Sequence, residues 1–235
     1  MLSAKYLSGM DDAMKEYPII FSGPMVRAIL GGRKTQTRRI IKSKNNGKII
    51  GYGGPALAME TLGLDNDGCE HVQTVCCPYG QPGDSLWVRE KWRLYDSYSE
   101  CACYDECRCA RYHNKPVYYA DTYDDEAKWR PSIHMPRWAS RITLEITGVR
   151  VERLHDISEE EAILEGVEMF EDEPPVYRDY RDQGIVHSAV ESFGTLWDSI
   201  NWRKEGCSWE DHNPWVWVIE FFRRDPEIKR VEAAA

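Results

Sequence analysis

Apolar residues along this chain fall into stretches of two periods. From Arg141 to Leu154 they alternate, at Ile142, Leu144 and Ile146 and then at Val149 and Val151 beyond Gly148. A period of two puts alternate side chains on one face of a β-strand, so this is the clearest strand in the sequence. Shorter extended runs are expected at Tyr17–Phe21, Thr35–Ile41, Ser85–Trp92, Val117–Ala120 and Pro214–Phe222, where β-branched and aromatic residues cluster. Helical spacing appears at Met25, Val26, Ile29 and Leu30, with Pro24 at the start and Gly31-Gly32 at the end. Ser158-Glu159-Glu160-Glu161 has the form of a capping box and opens a helix that stops at Gly166. A last helix is expected from about Ser188 to Ile200, with Val190, Phe193, Leu196 and Trp197 on one face.

Strands dominate, and they do not alternate regularly with helices. The pattern predicts an α+β protein around a small, mainly antiparallel β-barrel with flanking helices. Residues 1–16 read as a leader, 17–225 as one domain, and 226–235 as a tail. Long loop insertions are expected at 43–82, 95–115 and 168–187, where Gly, Pro, Cys or acidic residues break the periodicity. The 235 residues, 42% of them hydrophobic, suffice for one core and do not require two domains.

Charge changes this picture. The net charge is −9, which disfavours non-specific nucleic-acid binding over the whole surface. Yet Tyr17 to Met59 contains no Asp or Glu, and holds Arg27, Arg33, Lys34, Arg38, Arg39, Lys42, Lys44 and Lys48. Such segregation fits either an anion-facing surface on an acidic body or a solvated basic loop. Within it lies Gly31-Gly32-Arg33-Lys34-Thr35-Gln36-Thr37-Arg38-Arg39. Glycines permit close backbone approach to a ligand. Lys34 and Thr37 can act as amine and nucleophile, if burial or neighbouring cations depress the Lys34 pKa. The same residues also fit a glycine-capped helix followed by a solvent-facing strand.

No run of apolar residues is long enough for a membrane span, and the N-terminus lacks the apolar core of a signal peptide. A cytoplasmic protein is expected. Seven of the eight cysteines fall between Cys69 and Cys109. Without a secretory signal this suggests metal binding or free thiols. Cys101, Cys103, Cys107 and Cys109 are a candidate set for one structural zinc ion, though Cys69, Cys76 or Cys77 could replace a member. Trp129, Trp138, Trp202 and Trp209 stand near basic residues and are candidates for stacking on bases, or for simply covering a barrel end. His134 and Arg137 are further candidates for a cleft.

The run Phe21 to Arg39 resembles the opening of ASCH-domain proteins, a branch of the PUA-like superfamily. Gly83 to Arg89, Ile142 to Leu154 with the helix after it, and Trp217 to Phe221 resemble later parts of the same pattern, in order. The longer ASCH-type proteins of tailed phages and prophages are the nearest in kind, which would place the chain in a bacterial host cytoplasm. The resemblance implies a PUA-like barrel that binds RNA or a modified nucleoside in a cleft. A small bacterial member is an N-acetylcytidine amidohydrolase with a Lys-Thr-Glu centre. Its lysine and threonine correspond to Lys34 and Thr37, and its glutamate to Glu165. Gly32, Arg33, Thr35, Arg38, Arg39 and Trp138 are then expected to bind substrate or nucleic acid. This chain departs from that member in its greater length and in Arg38-Arg39. A non-catalytic module for RNA or modified DNA and a ribonuclease stand as alternatives.

Overall fold

In the computed structural model the strand predicted at 141–154 is the spine of the molecule. The structure describes residues 14–42, 49–51, 58–64, 70–96, 112–122 and 124–224. In chain order the elements begin with β1 (Glu16–Ile20), α1 (Gly23–Leu30) and β2 (Gln36–Ile40). Then come β3 (Ile49–Gly51), β4 (Ala58–Leu64), β5 (Glu70–Cys76) and β6 (Ser85–Arg89). Next are β7 (Trp92–Leu94), β8 (Pro116–Tyr118), α2 (Tyr119–Thr122), β9 (Thr143–Arg153) and α3 (Glu159–Leu164). The chain closes with β10 (Met169–Asp172), β11 (Pro175–Arg178), β12 (Ile185–Val186), α4 (Ala189–Glu205) and β13 (Trp215–Arg223).

The main sheet has five strands in the order β1-β6-β9-β13-β2. All its pairs are antiparallel except β1 with β6. Thus the α+β class and the mainly antiparallel sheet hold, and the closed barrel does not. β1 and β2 form the two edges and do not pair with each other among the described residues. Helix α1 and the turn after it connect these edges and hold them apart. A side chain crosses the gap where a ladder bond would be: Arg39 Nη2 donates to Ile20 O at 2.8 Å.

Both faces of this sheet are covered. Trp217, Ile219 and Phe221 of β13 point to one side, where they meet Ile19, Phe21, Val26, Ile29, Leu86, Leu144 and Ile146. Val216 and Val218 point to the other, against Leu154, Ala162, Phe193, Leu196 and Trp197. This explains why Val216 to Ile219 form an unbroken apolar run: a strand buried on both faces does not alternate. Gly148 lies at a register shift where β9 passes Glu220 of β13. A Cβ there would come within 2.6 Å of Glu220 Oε2, the mobile end of that side chain, so glycine gives Glu220 room beside the strand.

Two expected loops contain strands. Residues 43–82 hold the antiparallel sheet β3-β4-β5, and 168–187 hold β10-β11-β12. The second is anchored by Tyr177 and Val186, which pack into the core around α4. The strand expected at 85–92 is divided, because the chain turns after Arg89 and Trp92 begins a pairing with β8. Among the described residues no helix is long and apolar enough to cross a membrane.

Candidate functional site

Local geometry brings Lys34 inward. The glycine stop works as expected: Gly31 N–H donates to Arg27 O, and Gly32 takes φ +73°, where glycine pays no steric cost. The chain then folds back on α1. Arg33 and Lys34 both donate their backbone N–H to Ala28 O, at 2.9 and 3.1 Å. Thr35 N–H next donates to Leu164 O at 3.0 Å, tying this turn to the end of α3.

That tie sets Glu165 opposite Lys34. Glu165 is the C-cap of α3, and Gly166 follows at φ +85°. A Cβ on Gly166 would lie 2.8 Å from Lys34 Cβ and 2.9 Å from Ala28 Cβ. The glycine is therefore required twice, by its dihedral and by the close passage of the lysine stem. Lys34 Nζ donates to Glu165 O at 2.7 Å and to Glu165 Oε2 at 2.8 Å. The Lys34 side chain is 0% exposed and that of Glu165 is 3% exposed. Glu165 is thus not an exposed residue at a helix end.

Edge strand β2 runs past this pair with its two faces in different surroundings. Thr37 and Arg39 stand opposite Ile219 and Trp217, on the face that includes Phe21. Arg38 stands opposite Val218, on the face of α3 and α4. Glu165 straddles the edge between them. Its Oε2 takes Lys34, and its Oε1 accepts from Arg38 Nη1 at 3.2 Å. Arg38 Nη2 goes on to Glu161 Oε2 at 2.8 Å and Glu152 Oε2 at 3.1 Å. Arg150 joins the same carboxylates, bonding Glu152, Glu161 and Glu220. Glu161 also completes the capping box with Ser158, as the sequence predicts. One carboxylate therefore caps α3 and fastens two arginines of the sheet to it.

Electrostatics follow from this burial. Desolvation is the main cause that lowers the Lys34 pKa from its ordinary value, and Arg39 and Arg38 push the same way. The charge of Glu165 and its hydrogen bond act against them. Burial likewise lowers the Arg39 pKa, although a guanidinium stays charged at neutral pH. Arg150 is also opposed by burial, but the bond to Glu152 and the charges of Glu152, Glu161 and Glu220 outweigh it and raise its pKa.

A cleft of about 790 Å³ opens between the sheet edges, at the gap between β1 and β2. Such a volume lies in the range of small-molecule sites, roughly 300–1,000 Å³. Thr37, Arg38, Arg39 and Glu165 line it, with Phe21 and Tyr79 among its aromatic walls. Phe21 lies 5.7 Å from Lys34 Nζ and 5.2 Å from the Arg39 guanidinium carbon, measured to the ring centroid. The lysine amine thus approaches the ring that also carries Arg39, though Lys34 itself is not among the residues lining the cleft.

The other residues singled out in the sequence are placed differently. Gly32 and Arg33 are exposed, and Arg33 Nη1 reaches Val167 O at 3.5 Å. Thr35 is half-buried, and its carbonyl accepts from Phe221 N–H. Trp138 is 65% exposed, packs edge-on against Trp92, and is not among the residues lining the cleft. Trp202 belongs to helix α4 and not to a loop. Arg137 pairs with Glu16 at 2.9 Å. Cys101, Cys103, Cys107 and Cys109 lie outside the described residues, as does Cys69. Among the described residues no group of three or more His, Cys, Asp or Glu is placed to hold a metal ion. Burial pushes the half-buried Cys77 thiol up to about 11.

Sequence patterns alone did not single out Glu152, Arg150 and Gly166 for this site. Arg150 and Glu152 occupy the polar positions that alternate with Val149 and Val151 in β9, where charge is ordinary and marks no site. Comparison of the chain with protein-family models, with curated proteins and with solved structures found no match.

Proposed function

We propose that this chain is an ASCH-type, PUA-like protein whose cleft hydrolyses the amide of an N-acylated nucleobase such as N-acetylcytidine. One observation carries this: a buried lysine amine, held at two points by Glu165, near the Phe21 ring of the cleft that Thr37 also lines. A neutral amine has two N–H bonds and one lone pair. Glu165 O and Oε2 account for both N–H bonds, which leaves the lone pair for a third partner. Burial favours that neutral form by lowering the Lys34 pKa. Thr37 lines the cleft, and its hydroxyl has no hydrogen-bond partner among the described residues.

In the proposed reaction Lys34 takes the Thr37 hydroxyl proton as Oγ attacks the acyl carbonyl. The carbon–nitrogen bond breaks. The proton held between Lys34 and Glu165 passes to the leaving amine, and an ester on Thr37 remains. Water then attacks the ester and gives its proton to Lys34, which returns it to Thr37 Oγ as the carboxylic acid departs. The net change is amide plus water to amine plus acid. Arg38 acts in this scheme through Glu165, by fixing the carboxylate against the lysine.

Incubation with N-acetylcytidine, its 5′-monophosphate and an acetylated oligonucleotide tests the proposal by chromatography of the products. Release of deacetylated product supports it. No release from any of the three rejects it.

A further inference from the structure

We infer that the cleft takes a phosphorylated ligand, a nucleotide or a strand, with Arg39 as its phosphate-binding residue. This rests on the cleft being a nucleobase site, as proposed above. The net charge of the chain is −9, yet the cleft lining carries Arg39 and Lys91, neither in an ion pair among the described residues, and one carboxylate, Glu165. That carboxylate is already shared between Lys34 and Arg38. A second hollow, beside α4, shows that such an excess is not general. Its lining has Asp198, Glu210 and Asp211 against Arg181.

Arg39 differs from the arginines around it. Arg38 and Arg150 each bond several carboxylates. Arg39 forms no ion pair among the described residues. Its Nη2 is spent on Ile20 O, its Nε is buried with no acceptor, and its Nη1 has no acceptor among the described residues. The Phe21 ring lies beside the guanidinium, its centroid 5.2 Å from the central carbon. A partly buried guanidinium in no direct ion pair is costly unless an anion joins it. A planar fork of this kind matches a phosphate better than a point charge does. Lys91 is a second lining cation with no ion pair among the described residues, its Nζ lying 4.1 Å from the Tyr119 ring centroid. The lining also includes Tyr79 and Phe193, which supply apolar surface for the base.

Titration calorimetry of the purified chain with cytidine 5′-monophosphate, with cytidine and with a short single-stranded RNA tests this independently of any turnover. The monophosphate is expected to bind about 10–100-fold more tightly than cytidine, the size of one or two charge-assisted hydrogen bonds. Arg39→Met is expected to remove most of that ratio, and Arg39→Lys to keep part of it. Lys91→Met, which leaves the Ile20 bridge intact, is expected to reduce the ratio if Arg39→Met does not fold. RNA binding above the monophosphate identifies a strand as the phosphate source, and equal binding identifies a free nucleotide; both uphold the inference. Equal affinity for cytidine and its monophosphate, a ratio unchanged in the variants, or no binding of either overturns it. Phosphate-dependent binding without amide hydrolysis would sustain the inference while rejecting the proposed reaction.

Discussion

Replacing Glu165 by Leu is expected to destabilise the protein by about 3–5 kcal/mol, because it strands a buried lysine. Among the described residues Lys34 Nζ donates its hydrogen bonds only to Glu165 O and Oε2, from a side chain 0% exposed. Arg38 also loses one bond but keeps Glu152 and Glu161. The reverse change, Lys34→Met, is milder. Glu165 keeps Arg38 at 3.2 Å, so only the lysine's own bonds go, at about 1–3 kcal/mol. For a chain of this length each kcal/mol moves Tm by roughly 2–4 °C. The glutamate variant should therefore melt roughly 6–20 °C below the wild type, and the lysine variant by less. The double variant removes both partners, and should cost at least about 1 kcal/mol less than the sum of the singles. Urea unfolding at neutral pH measures all three. A cost below about 1 kcal/mol for Glu165→Leu, typical of an exposed pair, would refute the burial of this pair. Strictly additive costs would refute its coupling.

Three further outcomes follow from the same geometry. Gly166→Ala meets both a positive φ and the Lys34 and Ala28 side chains; urea unfolding should show a loss of at least about 2 kcal/mol. Glu161→Gln keeps a capping box but removes the charge shared by Arg38 and Arg150, and should cost about 1–3 kcal/mol in the same assay. Because burial lowers the Lys34 pKa, the unfolded chain holds that proton more tightly than the folded one. Stability should therefore rise with pH from the folded pKa of Lys34 up to about 10.4, and level off above. Melts over that window should show the rise in the wild type, and Lys34→Met should lack the part due to this group.

Much of the frame was legible because its elements keep one period. β9 and α3 lie within one or two residues of the runs that predict them, and the capping box of Ser158 and Glu161 forms as written. Helix α1 ends at its paired glycines for the same reason. The small sheets were not legible. β4 and β5 are flanked by Gly, Pro and Asn, which favour loops, and β11 lies in an acidic stretch where only Val176 and Tyr177 reach the core. Closure of the main sheet was also beyond local pattern, since it depends on how far α1 holds β1 from β2. The site was legible in part. Charge marked the basic stretch and its residue types offered Lys34 and Thr37, while Glu165 was nominated by resemblance alone. The division of its arginines was hidden, because Arg38 and Arg39 are neighbours in sequence that face opposite sides of a strand. Arg38 turns to three carboxylates, and Arg39 turns to a cleft.

The central claim is that Thr37, served by Lys34, breaks an amide bond in this cleft. Its most direct test is the rate of cytidine release from N-acetylcytidine or its monophosphate by the wild type, Thr37→Ser, Thr37→Val and Lys34→Met, each checked for folding. The account predicts release by the wild type, retained activity in Thr37→Ser, and at least a 100-fold loss, roughly the worth of a positioned base, in Thr37→Val and Lys34→Met. Release that persists undiminished in folded Thr37→Val, or none from the wild type, would contradict it.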